Sequence, residues 1–470
     1  MNNEFDKKLN NYANNLKEKY LKKQSKHLRI IMHIDVNSAF LSWTAVSLLK
    51  KNTDEIDIRD IPSVIAHNKT SRKSIILAKS YPAKILGVKT GEPLAFAITK
   101  CPDLKIYEPN FKLYEENSKK MVNLLKTYSY YVEKYSIDEC FVDVTDFLFG
   151  KTPEELAKDI QKDILDTLGF TVNIGIANSK IMAKTASDFT KPNKIHTLYN
   201  HEIKEKLWPL EIKNLFMMGK KSIEKLNKIN IYKVKDLAEA NFSDISKLLG
   251  KNGESLWFHA NGIDNSPVLH EREPIKSISN SKTFSKDLKN EDELMCEIIN
   301  ISLKVIQRMQ KENLYCKTIT LDLRTYDFIN FGKSYSLNNF TNISNEILYI
   351  VKKLANDIYF SFKNNKKIDN FSKVKSKKLN PKILEYNGEI KPIRLAGIKV
   401  SNLKLKEDIP NSFFDILNTK EKKEKSKNES LDSVINSLNK KFGNNFVTRA
   451  RNLKINTKSN KKNRNKNKKT

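Results

Sequence analysis

YSIDECFVDVT, residues 135–145, joins two β-rich runs, and its reading decides the fold. Taken with its flanks as VEKYSIDECFVDVTDF (132–147), it alternates as a β-hairpin does and places Asp138 and Glu139 in the turn. Upstream, LRIIMHID (28–35) reads as a strand that closes on Asp35, and AFLSWTAVSLLKK (39–51) reads as a helix. Downstream, TPEELAKDIQKDILDTLG (152–169) is helical and FTVNIGIA (170–177) is β again. The order β-α-β-β-α-β predicts a ferredoxin-like sheet covered by two helices on one face, with residues 51 to about 101 inserted after the first helix as a small subdomain. The hairpin strands neighbour the first strand in such a sheet, so Asp35, Asp138 and Glu139 are expected near one another.

The rest of the chain divides by composition. Residues 1–27 form a polar extension in which Phe5, Leu9, Tyr12, Leu16 and Tyr20 recur at helical intervals, predicting an amphipathic helix packed on the body. Residues 200–273 read as short helices broken at Pro209, Gly219 and Gly250. Within them LFMMGKKSIEKLNKINIYKVKDLAEA (215–240) has the layout of a helix-hairpin-helix, which presents backbone N–H groups to a phosphate. Across 274–403, helices such as NEDELMCEIINISLKVIQRMQKE (290–312) alternate with strands such as CKTITLDLRTYDF (316–328) and IRLAGIKVSNL (393–403), a second α+β domain. Its basic residues Lys276, Lys282, Lys317 and Arg324 suit a duplex backbone. Residues 404–470 are Lys-rich, and the last fourteen, TKSNKKNRNKNKKT, hold no acid and no apolar side chain, so this tail is expected to be largely disordered.

A chain of 470 residues exceeds what one core supports, which predicts several domains. Lys plus Arg total 85 against 55 Asp plus Glu, a formal charge of +30 that favours a polyanionic partner through counterion release. A residue bias towards Lys and Asn accounts for the charge equally well, so charge alone decides nothing. The opening thirty residues hold no signal peptide and no later run spans a bilayer, so the cytoplasm is the default compartment, with no membrane partner. Cys101, Cys140, Cys296 and Cys316 lie far apart without C-x-x-C spacing, which argues against a zinc site or a disulfide framework.

An Asp at a strand end and an Asp-Glu pair in a turn are, by themselves, more often solvated acids or helix caps. Three carboxylates brought together can instead bridge two Mg²⁺ ions about 3.5 to 4 Å apart, the arrangement that joins a 3′-hydroxyl to a nucleoside triphosphate. Oxygen ligands suit Mn²⁺ as well as Mg²⁺.

MHIDVNSAFLSW (32–43), SYPAKILGVKTGEP (80–93), YSIDECFVDVT (135–145) and GIANSKIMAKTASDFTKPN (175–193) resemble, in order, the motifs of the Y-family DNA polymerases. The resemblance runs from about residue 29 to about 403, with KSISNSKTFSKDL (276–288) opening the last domain. It implies a right-hand polymerase. Residues 28–50 and 102–199 would be the ferredoxin-like palm, 51–101 small fingers, 200–273 a helical thumb and 274–403 an α+β little finger. It implies a low-fidelity, translesion DNA polymerase, monomeric, acting on primer-template DNA and dNTPs with two Mg²⁺ ions. Asp35 and Asp138 match the family's metal ligands, Glu139 its third catalytic carboxylate, and the main-chain carbonyl of Val36 would complete a metal shell. Phe40 matches the steric gate that excludes a ribose hydroxyl, although without the resemblance it would read as helix core. Tyr81, Lys84 and Lys191 match residues that hold the triphosphate; Lys84 stands where Arg is commoner, and a solvated loop lysine is the plainer reading of Lys191.

The chain departs from the family pattern in several places. Asn37 replaces a second acid, Ala39 an aromatic before the gate, and Ser179 the usual Asn, while Gly219 is the only one of two hairpin glycines. A compact fingers insert and the lack of a second acidic cluster imply low fidelity without a proofreading exonuclease. IPNSFFDI (409–416) sits where relatives carry a sliding-clamp motif; Phe413 and Phe414 either fill a clamp pocket or anchor the tail on the protein. Two rival readings are a DNA-binding accessory that has lost catalysis and another two-metal palm enzyme, such as a nucleotide cyclase or reverse transcriptase. The first is opposed by the presence of all three carboxylates, and the second leaves the thumb and little-finger segments unexplained.

Overall fold

The computed structural model describes residues 2–24, 28–51, 56–67, 74–271, 273–363, 385–386, 389–409, 430–432, 434–435 and 437–438. They fall into two compact units, Met1–Arg272 and Glu273–Thr470. No helix among the described residues is long and apolar enough to cross a membrane.

The first unit opens with helix α1 (Asn2–Gln24), strand β1 (Ile31–Val36) and helix α2 (Ala39–Leu49). There follow β2 (Ser63–Ala66), β3 (Ile76–Lys79), α3 (Tyr81–Ile85), α4 (Leu94–Lys100) and β4 (Lys105–Tyr107). Then come α5 (Phe111–Leu125), β5 (Val132–Lys134), β6 (Glu139–Asp143), α6 (Pro153–Leu168), β7 (Val172–Ala177), α7 (Lys180–Ser187) and β8 (Ile195–Leu198). Four short helices, α8 (Lys220–Asn227), α9 (Val234–Glu239), α10 (Phe242–Leu249) and α11 (Lys251–Ala260), complete it.

The main sheet has the order β5-β6-β1-β7-β8, with β1 antiparallel to both neighbours and β8 added parallel to β7. Through β1-α2-β5-β6-α6-β7 it follows the β-α-β-β-α-β order expected from the sequence. Alternation along the strands divides the side chains between two faces. Met32, Ile34, Val36, Cys140, Val142, Ile174 and Ile176 pack into a core with Trp43 of α2, Tyr114 and Met121 of α5, and Ile160 and Ile164 of α6. The opposite face carries Ile31 and Phe141 and meets Met182 and Ala183 of α7. The expectation of two helices on one face is therefore incomplete, since α5 adds a third there and α7 covers the other side.

α7 lies close to the sheet because Gly175 has no side chain. A Cβ there would stand 2.0 Å from the Ala183 carbonyl oxygen and 2.4 Å from the Ser187 nitrogen. α6 is bounded by its own sequence: Thr152 and Glu155 form a reciprocal capping box at the start, and Gly169 takes φ 82° at the end.

The small subdomain is a three-stranded sheet, β3-β2-β4. It extends to Tyr107 rather than ending near 101, because Lys105–Tyr107 pairs in parallel with β2. A three-residue strand is too short to give an alternation signal. Arg59 ties this region to the core by gripping the Asp57 carboxylate and donating to the Gly169 carbonyl at 2.9 Å.

α1 packs on the body as expected, through Leu9 and Tyr20 of the expected stripe but not through Tyr12 and Leu16. Ala13 and Tyr20 are buried whereas Tyr12 and Leu16 are exposed. The contact face is Asp6, Leu9, Asn10, Ala13, Lys17 and Tyr20: Asp6 pairs with Lys247, Asn10 accepts from the Ser243 N–H, and Lys17 reaches Asn261. The Tyr20 hydroxyl donates to the Asp264 carbonyl at 2.9 Å. Leu9 and Tyr20 of the expected stripe share this contact with small and polar residues, so hydrophobicity alone locates only part of it.

The expected helix-hairpin-helix is a helical turn at Ile212–Asn214, a tight bend and α8, followed by α9. Met217 adopts φ 69°, the left-handed backbone that a glycine occupies at least strain. The bend therefore survives without its second glycine. Met217→Gly is expected to stabilise the protein by about 1 kcal/mol, measured by denaturant unfolding.

The second unit contains β9 (Ser277–Leu288), α12 (Glu291–Lys311), β10 (Leu314–Thr325), β11 (Asn330–Thr341), α13 (Ser344–Lys363), β12 (Glu385–Tyr386), β13 (Glu389–Ile390) and β14 (Ile393–Leu405). Its sheet runs β11-β10-β14-β9, and residues of α12 and α13 share one core with its strands. The other face is rich in hydroxyls: Thr318 bonds Ser336, Thr320 bonds Ser334, and the alternation adds Ser279, Arg324 and exposed Lys399. Lys282 instead pairs with Glu297 of α12, and Lys276 with Glu273.

β14 continues to Leu405, two residues past the expected domain end. Within the tail expected to be largely disordered, Asp432 is buried and accepts the Ser344 N–H at 3.0 Å at the start of α13. Phe413, Phe414 and the last fourteen residues lie outside the described residues. Among the cysteines, Cys101, Cys140 and Cys316 are buried, and burial pushes the Cys140 and Cys316 thiols up to about 12.

Candidate active site

The strand register assembles the site. Asp35, near the end of β1, stands opposite Glu139 on β6 and Asn173 on β7. The Val36 N–H donates to the Asp138 carbonyl at 3.1 Å, so the hairpin turn is fastened to the end of β1. The turn is itself closed by the Tyr135 and Ser136 N–H groups, both donating to the Glu139 carbonyl.

A cleft of about 280 Å³ at this end is lined by Asp35, Val36, Phe40, Tyr81, Lys84, Asp138 and Lys191, together with Lys79. Seven of the eight residues singled out from sequence outside the tail thus share one cleft. Glu139 does not line it, although it neighbours Asp35 in the sheet.

Each carboxylate has its own partner. Lys191 pairs with Asp35 and, at 2.8 Å, with Asp188; Lys184 pairs with Glu139 at 2.6 Å; and the Ser136 hydroxyl donates to Asp138 at 2.6 Å. Among the described residues no three acidic, His or Cys side chains are gathered closely enough to share one ion. The backbone brings the acids to one end of the sheet, and there each side chain is engaged by a separate lysine or serine. The donor set nevertheless fits a hard cation: the carboxylates Asp35 and Asp138 line the cleft with Val36, and among the described residues no sulfur or imidazole does.

Burial pushes the Asp35 carboxyl up to about 6, against the pull of the Lys191 ammonium, and Glu139 and Asp188 add to the push. Burial alone would lower the Lys191 ammonium, but Asp35 and Asp188 hold it above its usual range. His33, on the same face, is kept well below the usual histidine range by burial and then by Lys184 and Lys191. It is neutral, shares a 2.8 Å hydrogen bond between Nδ1 and the Ser187 hydroxyl, and leaves Nε2 without a partner among the described residues.

The segment carrying Lys191 is held by a buried amide relay. Asn173 donates to the Ser187 and Thr190 carbonyls, and its oxygen accepts from the Asn37 amide at 3.1 Å. Asn37 in turn accepts from the Thr171 hydroxyl and the Asn193 N–H. A carboxylate at position 37 could accept those bonds but not donate to Asn173, so the departure at Asn37 has a structural use.

From the small subdomain, the Tyr81 hydroxyl donates to the Lys191 carbonyl, and the Lys84 ammonium lies 4.8 Å from the centre of the Tyr81 ring. Phe40 is stacked on Tyr114 at 4.4 Å and 6°, with Phe111 edge-on to both. Tyr114 fixes the Phe40 ring, and its place in an ordinary amphipathic helix gave no sign of that. Ser179, in place of Asn, accepts the Met182 N–H and caps α7 as an Asn would.

With the geometry in place, the relatives are informative. Two family profiles match: the impB/mucB/samB family over residues 34–188, and its C-terminal domain over 275–412. DNA polymerase IV of Clostridium acetobutylicum is 39% identical over 90% of this chain and 98% of its own length. DNA polymerase IV of Oceanobacillus iheyensis is 33% identical over 92% and 93%, and DNA polymerase IV 1 of Bacillus subtilis 32% over 91% and 94%. A solved Y-family DNA polymerase chimera of Dbh and Dpo4 shares the fold at a TM-score of 0.65 and 22% identity, covering 80% of this chain and 99% of that one. The fold is the mixed α/β fold of a Y-family DNA polymerase. The chain belongs to the impB/mucB/samB family, that of the Y-family DNA polymerases, and its enzymatic class is DNA-directed DNA polymerase.

Proposed function

We propose that the protein is a template-directed, low-fidelity polymerase that adds deoxynucleotides to a primer 3′ end by two-metal nucleotidyl transfer. Its role would be translesion synthesis and repair, without a proofreading exonuclease, as a cytoplasmic monomer. The observation that carries this reading is the single cleft shared by Asp35, Asp138, Phe40, Tyr81, Lys84 and Lys191. Mg²⁺ bound there, or Mn²⁺, would lower the pKa of the attacking hydroxyl and neutralise the pyrophosphate. Asp35, Asp138, Glu139 and the Val36 carbonyl are the groups that would hold it.

Lys84 and Lys191 supply point charges for the triphosphate, and Tyr81 holds Lys191's backbone in place. Phe40, immobilised on Tyr114, is the gate against a ribose hydroxyl. In this reading residues 28–50 and 108–199 are palm, 51–107 fingers, 200–273 thumb and 274–405 little finger, whose hydroxyl-lined open sheet face suits the phosphate backbone. A sliding-clamp contact through Phe413 and Phe414 belongs to the same proposal.

The two-metal reading is tested by the dependence of single-nucleotide extension on free Mg²⁺. A second-order rise that a chelator reverses supports it, and a strictly first-order rise contradicts it. For the gate, Phe40→Ala is expected to raise ribonucleotide relative to deoxynucleotide incorporation by about 100-fold, measured with matched rNTP and dNTP on one template.

A further inference from the structure

Lys184 has no part in the reading above. It lies mid-helix in α7, on the side facing the sheet, and is only 7% exposed. Its ammonium sits 2.6 Å from Oε1 of Glu139. It rests against two rings that meet edge-on, 5.5 Å from the centre of Tyr135 and 5.2 Å from that of Phe216. An ammonium removed from water costs several kcal/mol unless it is paired, so this lysine is confined to the neighbourhood of Glu139. Glu139 is confined in turn, with Oε1 held by a donor carried on α7. The close approach of α7 permitted by Gly175 brings the lysine within reach.

We propose that Lys184 is a positioning residue for nucleotidyl transfer: held against Tyr135 and Phe216, it fixes the orientation of the Glu139 carboxylate beside Asp35. The proposal rests on Glu139 being the third catalytic carboxylate. Phe216 belongs to the hairpin bend before α8, so the lysine's cage also joins that bend to the catalytic strand.

The test compares Lys184→Met, Lys184→Arg, Glu139→Gln and the Lys184→Met/Glu139→Gln double variant in the full chain. The readouts are single-nucleotide extension, primer-template affinity by anisotropy, thermal melting, and Mn²⁺ binding to the DNA complex by electron paramagnetic resonance. Lys184→Met is expected to lower kcat and Mn²⁺ affinity by roughly 10- to 100-fold, the usual loss when a ligand's outer partner is removed. KM for the dNTP and DNA affinity stay unchanged, and Lys184→Arg recovers part of the loss. In the double variant, where no unpaired charge is left buried and folding is secure, extension equals that of Glu139→Gln alone, because the lysine acts only through that carboxylate. Independent, multiplying losses in the double variant overturn the proposal, as does full activity in Lys184→Met. A loss that follows melting temperature and that arginine does not recover assigns Lys184 a structural role only and also overturns it. Full extension by Glu139→Gln would instead remove the catalytic assignment of Glu139 itself.

Discussion

Asp35→Asn is expected to reduce primer extension by about a thousandfold or more while leaving the protein folded, as measured by single-turnover extension alongside thermal melting. The side chain keeps its size and its place at the end of β1 but loses the charge a metal ion needs. Lys191 keeps its pair with Asp188, so no ammonium is left unpaired by the change. The stability effect has a definite sign. Burial raises the Asp35 carboxyl to about 6, above its unfolded value, so the folded state binds a proton more readily than the unfolded one. Ionising it therefore costs stability as pH rises through that range, and at neutral pH the neutral Asn escapes the cost. The melting temperature of the variant should equal or exceed that of the parent at pH 7, with the difference vanishing towards pH 4. Lost activity with retained or increased stability separates a functional carboxylate from a structural one.

Gly175→Ala is expected to be the most damaging single-methyl change in the first unit. The added Cβ would meet the Ala183 carbonyl oxygen at 2.0 Å and the Ser187 nitrogen at 2.4 Å, both backbone atoms of α7 that no rotamer change can move. Relief requires α7 to lift from the sheet. That would draw Lys184 from Glu139 and loosen the Asn173 bonds to the Ser187 and Thr190 carbonyls. A cost above about 3 kcal/mol follows from overpacking so rigid a contact, read as a fall in the denaturation midpoint. A midpoint within error of the parent would show that α7 can shift freely, and the account of its close packing would be wrong.

How far the molecule was legible in its sequence depends on what produced each feature. The strand order was legible because the apolar runs from Leu28, Val132 and Phe170 have the length and β-branched character of buried strands. Alternation then sent Asp35 and Glu139 to the same face. Phe40, Tyr81, Lys84 and Lys191 came from ordered motifs rather than from any physical pattern, and one cleft holds them all with Asp35 and Asp138. Features that rest on a single long-range contact were not legible. Lys184 reads as an ordinary helical lysine until α7 is laid on the sheet, and Asn173 as a polar interruption of a strand until the 187–194 segment closes over it. One of the two hairpin glycines is missing from the sequence, and Met217 takes up the left-handed backbone there. The contact side of α1 was legible only in part: Leu9 and Tyr20 pack as expected, while Ala13 and Asn10 complete the contact and Tyr12 and Leu16 face away.

The most direct test of the central claim is primer extension by the purified protein with Mg²⁺ and single dNTPs on undamaged and abasic-site templates, beside an Asp138→Ala/Glu139→Ala double variant. Distributive, error-prone extension that crosses the abasic site and disappears in the double variant is the result the account predicts. Tight primer-template binding without extension, or extension that survives in the double variant, would contradict it.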